Sequence, residues 1–138
     1  MRNRELAADY VRRAEARLKA VQVLRDAASW ADVVRESQEI VELALKGILR
    51  ASGIEAPRIP DVSHVMLAER ERLPASVRGD VEALAQISRN LRRDRELAFY
   101  GAEDLTPSTF YSEQDAKAAF EGAERAVGAA RLVVVEKQ

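Results

Sequence analysis

The stretch Glu36-Ser-Gln-Glu-Ile-Val-Glu-Leu-Ala-Leu-Lys-Gly-Ile-Leu49 decides the fold class. Its residues Ile40, Val41, Ala44, Leu45 and Ile48, with Val33 before them, recur at three- and four-residue steps, the period of a helix that buries one stripe. Glu36, Glu39 and Glu42 fall between them, and Lys46 follows Glu42 by four residues, the orientation that favours an intrahelical ion pair. These carboxylates read as a partly solvated face. Ser29 is placed to cap this helix, with Asp32 in its first turn against the helix dipole. Ser52-Gly53 is placed to end it, because glycine enters the left-handed conformation without a Cβ clash.

Upstream, Leu6, Tyr10, Val11, Ala14, Leu18, Val21 and Leu24 describe a second amphipathic helix from about Arg4 to Ala28. Downstream, Ile54–Asp61 holds two prolines and reads as a loop. Asp61 or Ser63 can cap a short helix that runs through Arg72 and stops at Leu73-Pro74. Ser76 precedes another long helix, striped by Val81, Leu84, Ala85, Ile87 and Leu91 and ending at Gly101. Glu103–Ser108, with Pro107, reads as a second loop. Ser112 and Asp115 form a capping box, with Asp in place of the preferred Glu, for a last helix reaching about Val135. No segment sustains the period-two alternation of a strand. The expected fold is all-α: an antiparallel bundle of four long helices plus one short helix, in one domain over residues 1–138.

The composition excludes several kinds of chemistry. With no cysteine there is no disulfide, no thiolate nucleophile and no Cys-based zinc site. With one histidine, His64, neither a di-iron site built on two Glu-x-x-His pairs nor a His-Glu-x-x-His zinc site can be assembled. The six glycines never form a phosphate loop, and no metal or cofactor is expected. Net charge is −1, which gives no global attraction for a polyanion. No apolar run opens the chain as a secretion signal would, and none approaches the roughly 18 residues of a membrane span. The expected setting is cytoplasmic, with no membrane partner.

Local charge is more informative. In Arg89-Asn-Leu-Arg-Arg-Asp-Arg-Glu-Leu-Ala-Phe-Tyr-Gly101, residues Arg89, Arg92, Arg93 and Glu96 stand at i, i+3, i+4 and i+7, which is one face of a helix. Tyr100, seven residues after Arg93, joins that face if the helix persists. Crowded guanidinium groups repel, so Asp94 and Glu96, solvent or a bound anion must offset the repulsion. A phosphate or RNA-backbone site and a solvated face of ordinary ion pairs both fit this pattern. His64, at a helix start and far from any second histidine, reads as a capping or packing residue, with proton transfer as its alternative.

Taken together, the helix Glu36–Leu49, the run Leu91–Gly101 followed by Pro107 and Phe110-Tyr-Ser-Glu-Gln-Asp-Ala116, and His64 after a proline loop resemble the HEPN domain family over nearly the whole chain. The resemblance implies a bundle of four or five helices and usually a homodimer. Many HEPN proteins are metal-independent ribonucleases, whose motif is an arginine, a polar residue, a short spacer and a histidine, often with a tyrosine two positions later. Several are toxins paired with a small nucleotidyltransferase, which can attach AMP to that tyrosine, and others bind nucleotides or RNA without cleaving. Carried over, Arg93 matches the arginine, Asp94 the polar residue and Tyr100 the tyrosine, while Ala98 stands at the histidine position. Alanine transfers no proton, and metal-free RNA cleavage needs an acid or base. The resemblance therefore implies a non-catalytic or weakly catalytic module, in which Arg89, Arg92, Arg93 and Tyr100 bind a nucleotide or RNA phosphate. A ribonuclease that uses Arg93 with His64 or Asp94, and a structural partner of a nucleotidyltransferase, are the alternatives.

Overall fold

One helix, α2 (Trp30–Ala51), is enclosed on three sides by α1 (Arg2–Asp26), α5 (Val81–Tyr100) and α7 (Glu113–Lys137). The computed structural model describes the backbone of residues 2–100 and 106–137, and the side chains of residues 3–92, 106, 108 and 110–134. Between the long helices lie α3 (Ser63–Ala68), a 3-10 turn (Arg70–Arg72), α4 (Ala75–Arg78) and α6 (Pro107–Phe110). The fold is all-α, with no strand among the described residues.

The enclosure of α2 is wider than its sequence stripe. Val34, Leu43, Leu49 and even Ser37 and Gln38 are buried with the expected Ile40, Val41, Leu45 and Ile48. Such enclosure needs helix axes to come close, and small residues allow it. A Cβ on Gly47 would stand 3.3 Å from Val11 Cγ2 and 3.4 Å from Tyr10 Cβ on α1. One on Gly122 of α7 would stand 3.1 Å from Ile87 Cγ2 on α5. Buried Ala7, Ala14, Ala44, Ala123, Ala126 and Ala130 continue these seams.

Cross-links between helices give their directions. Arg17 pairs with Glu36 at 2.6 Å while Arg50 reaches Asn3 at 3.4 Å, so α1 and α2 are antiparallel. Arg131 pairs with Glu15 at 3.2 Å while Arg25 lies over the Phe120 ring at 4.6 Å, so α1 and α7 are antiparallel. Asp80–Arg125 at 3.0 Å, together with the Ile87–Gly122 approach, sets α5 against α7 in the same way. Helices α1 and α5 thus run one way, α2 and α7 the other.

Several local expectations hold. At the end of α2, Gly53 has φ 75, its N–H bonds the Arg50 carbonyl, and the Ile54 N–H bonds the Leu49 carbonyl. This is a Schellman closure. The capping box of α7 is reciprocal: the Ser112 N–H donates to Asp115 Oδ2 at 2.9 Å, and the Asp115 N–H donates to Ser112 Oγ at 3.2 Å. Lys46 pairs with Glu42 at 2.8 Å.

Others need correction. The first helix stops at Asp26, not Ala28, because Ala28 takes φ 55 in a second Schellman closure, with the Ser29 N–H on the Leu24 carbonyl and the Ala28 N–H on the Arg25 carbonyl. Ser29 thus both closes α1 and stands at the expected N-cap of α2, where its carbonyl accepts the Val33 N–H, but its hydroxyl donates to Asp32 and makes no cap bond. The helix expected from Ser76 is split at Gly79-Asp80 into α4 and α5. Glycine is a weak helix former there, and Arg125 of α7 holds the Asp80 carboxylate. Pro107 begins a helical turn rather than lying in a loop, as proline can where no N–H is needed. Among the described residues, three short α-helices and a 3-10 turn, rather than one short helix, accompany the four long ones. The expected terminator Gly101 lies outside the described residues. Among the described residues no helix is long and apolar enough to cross a membrane.

Two substitutions test this packing by urea denaturation. Leu45→Ala, at a fully buried position, is expected to lower stability by about 2–5 kcal/mol. Ala28→Gly is expected to raise it by about 0.5–1 kcal/mol, since a left-handed residue strains any Cβ. A loss of stability on Ala28→Gly would disprove the Schellman closure of α1.

Candidate functional site

Helix α5 is unbroken from Val81 to Tyr100. Arg89, Arg92 and Arg93 therefore occupy i, i+3 and i+4 of one helix, and the condition for Tyr100 to share the register of Arg93 is met by the backbone. The side chains of Arg93, Asp94, Ala98 and Tyr100 lie outside the described residues.

Arg89 is exposed and donates to Gln86 Oε1 at 2.9 Å. Gln86 Nε2 in turn donates to Asn90 Oδ1 at 2.8 Å. This relay leads from the arginine to the rim of a cleft of about 200 Å³, lined by Ile87, Asn90, Leu91, Tyr111 and Gly122 among others. Arg92 is half-buried and engaged.

One carboxylate organises the other flank of α5. Asp61 Oδ1 accepts the Ser63 N–H at 2.9 Å, an Asx turn that starts α3. The same oxygen accepts the Ser88 hydroxyl of α5 at 2.7 Å. Burial pushes the Asp61 carboxyl up, but the Ser63 N–H, the Ser88 and Ser63 hydroxyls and the Arg89 charge together hold it below its ordinary value. Ser63 and Ser88 are both buried. Neither residue expected to cap α3 stands at its N-cap, which is Val62 and has no side-chain bond; Asp61, just before it, ties the first residue of α3 to α5 one residue from Arg89.

His64 neither caps nor packs. It is the second residue of α3 and is exposed, since Val62, Ser63 and Met66 take the inward positions. The fold places it on the short helix that packs against α5. Among the described residues no three His, Asp or Glu side chains come together as metal ligands.

Ser88 was legible only as an anomaly. It occupies a position in the register of Val81, Leu84, Ala85 and Leu91 where an apolar residue would be expected, and its hydroxyl reaches a carboxylate 27 residues away. The Asp61 link predicts a pH signature. A lowered carboxyl pKa stabilises the fold above the ordinary value of 3.8, and that contribution is lost as pH falls through the lowered value. Asp61→Asn should cost about 1–2 kcal/mol at pH 7. In urea melts the gap between wild type and variant should close on acidification. A gap that stays constant with pH would show that the charge is irrelevant.

Compared with known proteins, the sequence matches the HEPN domain family over residues 7–133, from the first turns of α1 into the last turns of α7. No curated protein and no solved structure gives a significant match. The matched span contains α2, α3 and α5 whole, and the all-α bundle agrees with the family fold. The chain belongs to the HEPN domain family, whose functions are nucleotide- and RNA-related.

Proposed function

We propose that this HEPN domain binds a nucleotide or RNA phosphate through Arg89, Arg92 and Arg93, and that it cleaves RNA slowly or not at all. The supporting observation is the continuity of α5 through Tyr100, which keeps the backbone positions of Arg89, Arg92 and Arg93 on adjacent turns of one helix. Arg89 is bonded directly to a neutral amide, and the acidic group acting on it, Asp61, is already engaged by Ser63 and Ser88. Arg89 thus makes no ion-pair bond among the described residues and keeps N–H donors for an incoming anion. Arginine suits this role because its planar fork matches two phosphate oxygens.

Two copies joined about a two-fold axis, with their α5 helices apposed, would double the charge at one groove of a chain whose net charge is −1. Arg93 would stabilise charge on a phosphate, but position 98 carries alanine and supplies no proton. Tyr100, at the last turn of α5, would be the residue offered to a nucleotidyltransferase partner in a toxin–antitoxin-like pair.

One observation keeps the ribonuclease reading in play: His64 is exposed on the helix that packs against α5. Two experiments separate the readings. In titrations with labelled single-stranded RNA or ATP, Arg92→Ala/Arg93→Ala should weaken binding about tenfold or more and flatten its salt dependence; unchanged affinity would remove the site. Incubation with a mixed RNA pool should leave the RNA largely intact with wild type and His64→Ala alike. Cleavage by wild type that disappears in His64→Ala would replace the binding reading with the enzymatic one.

A further inference from the structure

We propose a second anion site, in the cleft between α1, the C-terminal half of α2 and loop residues 54–58, that takes the phosphate of a small phosphorylated aromatic ligand such as a mononucleotide. The cleft has a volume of about 700 Å³, and its walls include Leu6, Tyr10, Lys46, Arg50, Pro57 and Arg58. It is built from the α1 side of α2 and shares no residue with the α5 site.

Arg50 is the anchor of the argument. It is half-buried, and its guanidinium makes one long bond, from Nη1 to Asn3 Oδ1 at 3.4 Å. Its Nε is shut off from solvent and bonded to nothing, and no carboxylate pairs with it among the described residues. A basic residue in the last turn of a helix ordinarily serves the terminal carbonyls. Here those carbonyls are already taken: Ser52, Gly53 and Ile54 N–H groups bond Ile48, Leu49 and Arg50 oxygens, and the Ser52 hydroxyl adds another bond to Ile48. Arg50 therefore lines the cleft with Nη donors that make one long bond to an amide and none to a carboxylate among the described residues, and these are free to meet an anion.

The rest of the cleft is arranged to match. Arg58 is exposed with no ion pair among the described residues, and it is carried between Pro57 and Pro60. The loop that bears it is held in place by buried Ile54 and Ala56 and by Arg72, which donates to the Gly53 carbonyl at 3.1 Å. The Lys46 charge is matched by Glu42, so the ammonium contributes its remaining N–H donors rather than net charge. Gly47 lets α1 come near enough to set Tyr10 and Leu6 beside these cations, giving an apolar wall for a ring. Glu55 also lines the cleft and opposes an anion, so Arg50 and Arg58 must outweigh it.

Calorimetric titration with AMP, inorganic phosphate, adenosine and a 5′-phosphorylated RNA trinucleotide tests the site. AMP should bind, phosphate more weakly and adenosine undetectably; binding by the trinucleotide would show that an RNA 5′ end is accepted as well as a free nucleotide. Arg58→Ala, an exposed change that leaves the fold intact, and Arg50→Lys, checked by thermal melting, should each weaken AMP about fivefold or more. Tyr10→Ala should weaken AMP but not phosphate, and Glu55→Gln should tighten both. In an Arg89→Ala/Arg92→Ala background, which disables the α5 site, AMP should still bind, and adding Arg58→Ala should weaken that remaining binding. No binding of AMP or phosphate, or binding that survives Arg58→Ala and Arg50→Lys, overturns the site. Loss confined to Arg89→Ala/Arg92→Ala also overturns it, by moving AMP to α5.

Discussion

The enclosure of α2 is the constraint on which the rest of the molecule depends. A helix contacted on three sides must be apolar over most of its circumference and must let its neighbours approach closely. Val34, Leu43 and Leu49 widen the apolar stripe, and Gly47, with the facing alanines of α1 and α7, supplies the approach. Glycine inside a helix lowers intrinsic helix stability by about 1 kcal/mol relative to alanine. Its retention at the α1–α2 contact reflects a steric demand of tertiary packing.

That close packing has electrostatic consequences. Charged residues on α2 cannot all reach solvent, so they are matched or left with unfilled bonding capacity. Lys46 is buried and matched by Glu42, while Arg50, at the mouth of two clefts, keeps an unbonded Nε. On the far flank, Asp61 resolves a similar conflict differently. It is partly buried, yet two serines and a nearby guanidinium favour its charged form, and in doing so they join the proline loop to α5. The residues most relevant to recognition thus sit where helix packing forces charge to be managed.

The two sites proposed for phosphate, on α5 and between α1 and α2, are compatible with a chain of net charge −1. Near-neutral net charge governs long-range attraction, which is screened beyond roughly 10 Å at 0.1 M salt. Recognition at contact distance depends on a few guanidinium groups and on how well the surrounding carboxylates are already occupied. In this chain a residue just before the short helix α3, Asp61, reaches across to Ser88 of α5 and so has its carboxylate occupied.

The sequence alone was sufficient for whatever depends on residues within one or two turns of each other. The helical period, the Schellman glycine at Gly53, the capping box of Ser112 and Asp115 and the Glu42–Lys46 pair are all of this kind, since their partners lie at most five residues apart. The resemblance carried by the α2 and α5 stretches was likewise enough to name the family. Tertiary structure decided the rest. Ala28 takes a left-handed conformation that its own side chain disfavours, because α1 must turn there to lie against α2. The break at Gly79-Asp80 coincides with the Arg125 contact from α7. His64 is exposed on α3, while Asp61, three residues before it, is bonded to Ser88 of α5. Arg50 bonds Asn3 of α1 rather than the end of α2, whose carbonyls the following turn already satisfies. Most of these outcomes turn on contacts between groups tens of residues apart, whose energies exist only once the helices have chosen their faces.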